Sequence, residues 1–325
     1  MRKNENNLLP ILAGVVTSLL CLALIGGSIY IGVRSFQDRP VVEIPVSVPE
    51  SVEQVKAECA AGECIEGCVA KAAQAVGDGI YPGVMEPGYE SLLASYRVDG
   101  DAISDPEYYS APAKLYLYAQ NSGVHHRIWD YFTGVVPLDQ RPNLREFDIY
   151  AGGESGAQFS PTEDGGWILR FNVLASTDSN YLTDALIHEY GHFLTLNPTQ
   201  QAAPAANGKC AQEALYQCPA PDSYVNLFFE QFWRPIHREW VGTLGDPDSG
   251  YRFYLKYSDQ FVTEYAAFQP LEDIAESWTY FIVHPKPTGD TIADQKVLFF
   301  YQFPELVDLR YRLMYGICNY EPPAE

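Results

Sequence analysis

The sequence predicts an α+β domain that is mostly helical, with a small mixed sheet ahead of a central helix and one N-terminal transmembrane helix. Apolar residues recur at helical spacing from Leu182 to Leu196 and from Leu271 to Val283. Short strand-forming segments lie between 147 and 173, before the first of those helices. No charge interrupts the segment from Leu8 to Val33, which is longer than the roughly 20 residues that span a bilayer as a helix.

The N-terminal segment has the features of an uncleaved signal anchor. Its apolar run exceeds the about 7–15 residues of a signal-peptide core, and no small-x-small cleavage site follows it. Arg2 and Lys3 precede the run and Arg34 and Arg39 follow it, so the positive-inside rule does not decide its orientation. Prolines in the segment 34–50 predict an extended stalk. The expected division is 1–7 as cytoplasmic tail, 8–33 as transmembrane anchor, 34–76 as stalk and cysteine-containing lead-in, and 77–325 as the main domain.

Cysteine usage favours an oxidising compartment. An even number of cysteines outside the apolar run, in a membrane-tethered chain, predicts three disulfides. We therefore expect a single-pass protein of the cell membrane whose main domain is extracytoplasmic. Cys210 and Cys218 flank a short loop and form the expected local bridge. Cys59, Cys64 and Cys68 allow an alternative, a second zinc site, although their spacing is not the usual C-x2-C.

The charge balance excludes one class of partner. The chain has 42 acidic against 21 basic residues and a formal net charge of −21. Nucleic acids and anionic membrane surfaces repel such a protein, so neither is an expected partner. Membrane association is expected only through the N-terminal helix.

The segment before the central helix predicts one helix and then three strands. Apolar residues at helical spacing run from Leu115 to Phe132. Strand signals follow at 147–150, 157–159 and 167–173. We expect the segment 166–173 to form a sheet edge beside a cleft, where an extended peptide can pair with it. An ordinary packing strand is the alternative.

The segments after the central helix are also mostly helical. Pro198 cannot continue that helix, so it ends near Leu196, and a loop over 198–222 follows. Helical spacing then resumes over Tyr224 to Trp240, over Leu271 to Val283, and over Ile292 to Ile317, where Pro304 breaks it.

The central helix carries a metal-binding motif, His-Glu-x-x-His, at residues 188–192. His188 and His192 lie on one helix face, which lets both imidazoles reach one zinc ion. Glu189 then lies beside the metal, where it can act on a water molecule. The alternative is a buried helix whose histidines are satisfied by hydrogen bonds. The apolar neighbours argue against it, because ionisable groups in such surroundings are costly unless paired or metal-bound.

A catalytic zinc site needs a third protein ligand. The metzincin extension is absent, since Thr195 and Pro198 stand where that class has Gly and His. An acid on a later helix remains, and Glu272 is the best candidate because it shares a helix face with Glu276. Glu213 is the alternative, although it lies among loop residues.

Two segments together resemble a known family. His-Glu-Tyr-Gly-His at 188–192 and Glu-Tyr-Ala-Ala-Phe-Gln-Pro-Leu-Glu-Asp-Ile-Ala-Glu at 264–276 resemble the gluzincin metallopeptidases, most closely the lethal-factor-type branch and its bacterial relatives. In that pattern a tyrosine precedes the ligand glutamate by seven residues, and another acid follows it by four. Tyr265, Glu272 and Glu276 fall at those intervals.

The resemblance implies a zincin-like fold and a role for each motif residue. His188, His192 and Glu272 would bind zinc. Glu189 would be the general base, and Tyr265 would face the scissile carbonyl. The separation of the two motifs departs from the family, because the segment after His192 is longer than in that branch.

A ligand imidazole also needs an acceptor for its second nitrogen, which determines its tautomer. Glu276, in the role that the family pattern implies, and Asp184 are the candidates. For Asp184, the alternative is a charge placed in the first helical turn by the helix dipole. The remaining histidines are expected to be surface or hydrogen-bonded residues: His125, His126, His237 and His284.

These observations predict a membrane-anchored, extracytoplasmic zinc metallopeptidase that acts on a protein or peptide substrate. Zinc is the expected cofactor. Two alternatives remain: a non-catalytic zinc-binding surface or adhesion protein, and a zinc hydrolase that acts on cell-wall amides.

Overall fold

A computed structural model describes most of the chain beyond the predicted stalk. In the described part, no helix combines the length and the apolar character needed to cross a bilayer. The predicted tail, anchor and stalk over 1–50 lie outside it, so these three expectations remain predictions. The described residues are 67–70, 72, 89–153, 155–162, 164–177, 179–202, 218–244 and 249–321.

A mixed sheet is formed by six strands of the described chain: β1 (Ser91–Asp99), β2 (Ala102–Ile103), β3 (Glu107–Tyr108), β4 (Leu144–Ala151), β5 (Ala157–Pro161) and β6 (Trp167–Asn172). Their order is β2-β1-β4-β6-β5, and β3 also pairs with β1. Strands β4 and β6 are parallel, and the other pairs are antiparallel.

Helices account for most of the remaining described chain: α1 (Tyr116–Gln120), α2 (Ser122–Val135), α3 (Ser179–Leu196), α4 (Tyr224–Phe228), α5 (His237–Val241), α6 (Ser249–Lys256), α7 (Pro270–Val283), α8 (Ile292–Phe300) and α9 (Pro304–Cys318). A π-helical turn, Phe229–Trp233, continues α4, and a 3₁₀ turn, Tyr265–Phe268, precedes α7. The expected architecture, mostly helical with a small mixed sheet before the histidine-bearing helix α3, is confirmed.

Helices α2 and α3 pack against aromatic residues of the sheet. In α2, the Trp129 ring lies 5.2 Å from that of Phe147 in β4. In α3, the Phe193 ring lies 5.1 Å from that of Phe159 in β5 and 5.2 Å from that of Trp167 in β6. Burial of such large rings is the main driving force for this packing. It places β5 alongside the part of α3 that carries the histidine motif.

Helices α3 and α7 approach each other closely at Gly191. A Cβ atom at this position would lie only 2.8 Å from Cδ1 of Trp278 and 3.4 Å from the Ala275 Cα. Glycine inside a helix costs about 1 kcal/mol relative to alanine. The close contact explains why the helix nevertheless contains one here.

The expectation that 166–173 forms the sheet edge is wrong. Strand β6 lies between β4 and β5, and β5 is the outer strand at this side of the sheet. The residues of β6 are buried or half-buried along its length, as expected of an internal strand. The edge beside α3 is therefore Ala157–Pro161.

The predicted helix from Leu115 to Phe132 is divided into two. Asn121 leaves the helical region, and its side-chain oxygen accepts a hydrogen bond from Val124 N at 3.2 Å, which caps the start of α2. The predicted helix from Tyr224 to Trp240 is likewise divided, because Pro235 follows the π-helical turn.

Strand β1 was not predicted from the sequence pattern. A register shift between Leu92 and Ala94 interrupts its pairing with β4. Such an irregularity breaks the two-residue alternation by which strands are recognised. The helices α7, α8 and α9 match their predictions, with α9 beginning at Pro304.

A disulfide joins Cys68 to Cys318 across 250 positions of sequence. The alternative of a second zinc site that uses Cys68 is therefore wrong. Cys218 is also disulfide-bonded. Its expected partner, Cys210, lies outside the described residues, so that pairing remains a prediction.

Candidate metal centre

Helix α3 places three potential metal ligands together. His188, Glu189 and His192 each present a ligand atom within 4.8 Å of the others. The imidazole rings of His188 and His192 are 4.9 Å apart between centroids. Their positions one helical turn apart produce this arrangement. The three residues form a group that can hold a metal ion.

Helix α7 brings a further carboxylate to the two imidazoles. Oε2 of Glu272 lies 3.1 Å from Nε2 of His188 and 3.3 Å from Nε2 of His192. Zinc with ligand bonds of about 2.0–2.1 Å separates neighbouring donors of a tetrahedron by about 3.3 Å. The Glu272–imidazole distances therefore fit the donor spacing of a zinc site, and the set of two imidazoles and a carboxylate fits zinc chemistry.

The orientation of Glu272 follows from the start of α7. Gln269 is the N-cap residue, and Pro270 occupies the first turn. Nε2 of Gln269 donates a hydrogen bond to Oε1 of Glu272 at 3.0 Å. This bond occupies one carboxylate oxygen and leaves Oε2 directed at the imidazoles.

The neighbouring residue on α7 anchors the helix in the core. Asp273 is fully buried, and its Oδ2 lies 2.6 Å from Nζ of the equally buried Lys296 on α8. The same oxygen accepts a hydrogen bond of 2.6 Å from Nε1 of Trp233. Glu272 thus faces the imidazoles, whereas the adjacent Asp273 faces the core.

Glu276 lies behind His188. Its Oε1 is 2.6 Å from Nδ1 of His188, and its Oε2 accepts a hydrogen bond of 2.6 Å from Oγ1 of Thr263. A carboxylate behind a ligand imidazole sets the tautomer and the ring orientation. Asp184, the other candidate for this support, is exposed one turn before His188 on α3.

Glu189 is tied to the edge strand. One of its carboxylate oxygens accepts a hydrogen bond of 3.0 Å from the backbone N–H of Phe159 in β5. Burial raises the pKa of Glu189, while the positive potential of His192 and His188 opposes that shift. A carboxylate with a raised pKa takes up a proton more readily than an ordinary one, which suits a group that accepts and releases protons.

Tyr265 is on the 3₁₀ turn before α7. Its ring centroid lies 5.9 Å from that of His188, and the side chain is 53% exposed. Partial burial, together with the carboxylates of Glu272 and Glu189, raises the pKa of Tyr265. The hydroxyl group therefore stays protonated at neutral pH and can donate a hydrogen bond.

Carboxylates dominate the electrostatics of the site. Burial disfavours a charged His188, but its hydrogen bonds to Glu272 and Glu276 raise its pKa to about 10. Burial likewise opposes ionisation of Glu272, yet the two imidazoles hold its pKa well below the usual range. The grouped acids thus create a negative potential between the two helices, which favours a cation at this position.

The structure also shows why His125 lies apart from this site. Its Nε2 is 2.9 Å from the carbonyl of Tyr118, and its Nδ1 is 2.7 Å from the hydroxyl of Tyr96. The carbonyl can only accept, so Nε2 carries the proton and Nδ1 accepts from the tyrosine. The expectation of a hydrogen-bonded histidine is confirmed here.

Three supporting groups were not identified from the sequence: Gln269, Thr263 and the backbone N–H of Phe159. Pro270 marked the start of a helix, but no sequence signal marked the side chain of Gln269, which makes no capping hydrogen bond. Thr263 has no sequence signal either, since its partner is 13 positions away in a different element. The Phe159 bond depends on the packing of β5 against α3.

Comparisons with protein-family models, with curated proteins and with solved structures find no match to this chain. Fold and site together define a mixed α/β protein with a candidate metal centre. The expected membership of the gluzincin family therefore remains a prediction.

Proposed function

We propose that this protein is a zinc-dependent metallopeptidase of the gluzincin type with a zincin-like domain. One observation carries the proposal. Oε2 of Glu272 lies within 3.3 Å of Nε2 of both His188 and His192, although the carboxylate is 80 positions beyond the second histidine. If the two histidines served only as hydrogen-bonded residues of a buried helix, they would not need one carboxylate oxygen close to both rings.

The surrounding residues support hydrolysis. When bound, zinc supplies Lewis acidity, which polarises a scissile carbonyl and lowers the pKa of water. Glu189 takes the proton of the attacking water and passes it to the leaving amine. The hydroxyl of Tyr265 donates a hydrogen bond to the carbonyl oxygen as it becomes negative, a contribution of about 3–4 kcal/mol for one such donor.

The surface beside these residues supports an extended polypeptide as substrate. Strand β5 is the outer strand on this side of the described sheet, and it meets the site at Phe159. Outer strands can pair with an extended peptide. Tyr265 and Phe268 form a parallel ring pair, 6.1 Å apart and both more than half exposed, on which an apolar side chain can pack. These features favour a peptide over a cell-wall amide.

We also propose that the protein lies in the cell membrane with its catalytic domain outside the cytoplasm. A disulfide between Cys68 and Cys318 favours an oxidising compartment. Together with the uncharged segment from Leu8 to Val33, it supports a single-pass anchor with an extracytoplasmic catalytic domain.

Metal analysis combined with Glu189→Gln tests the function. The purified full-length protein should contain one zinc ion per chain and hydrolyse casein, and a chelator should abolish the hydrolysis. Glu189→Gln should retain zinc but lose at least about 100-fold of the activity, because the proton acceptor is gone. Glu272→Ala should lose zinc as well.

Two outcomes would contradict the proposal. Full casein hydrolysis by Glu189→Gln would remove that residue from the mechanism. A wild-type protein that binds zinc stoichiometrically but cleaves no peptide in a proteome-derived library would be a non-catalytic zinc protein.

A further inference from the structure

One hydroxyl group connects two separate parts of the candidate centre. Oγ1 of Thr263 donates a hydrogen bond of 2.6 Å to Oε2 of Glu276, whose other oxygen faces Nδ1 of His188. The same Oγ1 accepts a hydrogen bond of 3.0 Å from the backbone N–H of Ala266. A hydroxyl group has one proton to donate and lone pairs to accept, so both bonds coexist.

We propose that Thr263 is a positioning residue that sets the orientation of His188 through Glu276 and, with the same oxygen, holds the turn that presents Tyr265. The inference rests on the proposed zinc site. It assigns Thr263 no contact with substrate or metal, and its effect on both is indirect.

The first half of this role concerns the carboxylate. Glu276 has a separate partner for each oxygen, His188 on one side and Thr263 on the other. Without the hydroxyl group, the carboxylate can rotate about its last bond, and Nδ1 of His188 loses a fixed acceptor. Partners of this kind behind a ligand imidazole contribute about 10- to 100-fold to metal affinity.

The second half concerns the turn. Ala266 is fully buried, and its N–H is one of the amides at the start of the 3₁₀ turn Tyr265–Phe268. Thr263 satisfies this amide in the manner of a helix N-cap. Loss of the bond leaves a buried donor unsatisfied and loosens the turn, which displaces the Tyr265 hydroxyl from the site.

A purely local capping role is the competing explanation. It predicts a less stable turn with no effect on metal affinity. The two explanations therefore differ in the zinc dissociation constant, a measurement that does not require activity.

The experiment compares Thr263→Val, which keeps the shape and removes the hydroxyl group, with Thr263→Ser, which keeps it. Zinc affinity of the full-length protein is measured by competition with a chromophoric chelator. Thr263→Val should bind zinc about 10- to 100-fold more weakly, and Thr263→Ser within about threefold of wild type. At saturating zinc, Thr263→Val should also lower kcat more than it raises KM.

A double-mutant cycle tests the route through Glu276. Once Glu276→Ala has removed both carboxylate oxygens, adding Thr263→Val should weaken zinc binding by less than about threefold. Independent, additive effects would overturn the inference. A Thr263→Val variant with the zinc affinity of wild type would also overturn it.

If Thr263→Val does not fold, as judged by circular dichroism, Thr263→Ala serves as the second hydroxyl-free variant, with the same expected loss of zinc affinity.

The outcomes separate this inference from the proposed function. A wild-type protein that binds zinc without peptidase activity contradicts the function alone. Wild-type activity together with an unchanged zinc affinity in the folded hydroxyl-free variant overturns the role of Thr263 alone. A wild-type protein that binds no zinc overturns both.

Discussion

At the residue scale, each of the two carboxylates in the candidate centre has a different partner for each of its oxygens. Glu272 directs Oε1 to Gln269 and Oε2 to the imidazoles, whereas Glu276 divides its oxygens between His188 and Thr263. Bonds to both oxygens restrict the rotation of each carboxylate. Such preorganisation lets a metal bind without first ordering its ligands.

Tyr265→Phe should lower kcat by about 100- to 1,000-fold and leave KM and zinc content nearly unchanged, because the hydroxyl group acts only on the developing negative charge. Steady-state kinetics on a fluorogenic peptide measures this. Tyr251→Phe is a matched control, since that tyrosine is similarly exposed, at 52%, but lies on α6. An unchanged kcat in Tyr265→Phe would remove the tyrosine from the mechanism.

His125 should make the fold sensitive to acid. Burial lowers its pKa to about 4, against 6.5 for the ordinary side chain. The unfolded chain therefore takes up a proton that the folded protein resists. The resulting stability is fully present above pH 6.5 and is lost as the pH falls toward 4, by up to about 3 kcal/mol.

Urea unfolding at a series of pH values checks this prediction. His125→Asn should be less stable than wild type at pH 7.5, and the difference should shrink as the pH falls from 6.5 to 4. A constant difference between His125→Asn and wild type would show that His125 does not titrate in this range.

At the element scale, the site depends on the distance between α3 and α7. The histidines belong to one helix, and Glu272 and Glu276 belong to the other, so a shift of either helix separates the imidazoles from the carboxylates. Gly191 permits the close approach, and the buried pair of Asp273 and Lys296 anchors α7 to α8. A buried pair of this kind is weak evidence for added stability, but removal of one partner is strongly destabilising.

Gly191→Ala should weaken zinc binding and destabilise the protein by about 1–3 kcal/mol, because the new methyl group would meet Trp278 at 2.8 Å. Gly123→Ala in α2 is the matched control. A Cβ there meets only the Asn121 side chain, at 3.5 Å. Improved helix propensity should make that variant neutral or more stable. Thermal unfolding and chelator competition measure both effects, and equal behaviour of the two variants would contradict this explanation of Gly191.

At the scale of the whole molecule, a covalent link joins distant parts of the described chain. Cys68 precedes the sheet, and Cys318 ends the last helix α9. Such a link restricts the unfolded chain more than the folded one. The strongly acidic composition acts at the same scale, since it favours solubility and disfavours anionic partners.

The double variant Cys68→Ser with Cys318→Ser should lower the free energy of unfolding by about 2–4 kcal/mol, because the unfolded chain regains conformational freedom. Urea unfolding under non-reducing conditions measures the loss, and replacing both cysteines avoids a free thiol. Zinc affinity should change little, since neither cysteine belongs to the centre. A stability equal to that of wild type would show that the bond does not constrain the unfolded ensemble.

Much of the fold and the donor set could be predicted from the sequence, because these features have local signals. Helical periodicity identified α3, α7, α8 and α9, and prolines marked two of their boundaries. The four-residue spacing of His188 and His192 was sufficient to predict a shared helix face. The family resemblance carried by the interval between Tyr265, Glu272 and Glu276 pointed to Glu272 as the proposed third ligand and Glu276 as its proposed support. Both carboxylates lie beside the imidazole of His188.

Other features depended on contacts that no local pattern encodes. Only the tertiary structure showed that β5, and not β6, is the edge strand, since strand order depends on pairing between distant segments. The irregular register of β1 concealed that strand, and the capping bond of Asn121 divided a helix that periodicity had joined. The hydrogen-bond partners of the Glu272 and Glu276 carboxylate oxygens were likewise visible only in the tertiary structure. Periodicity reports which face of an element is apolar, whereas the meeting of two polar atoms from different elements is determined by how those elements pack.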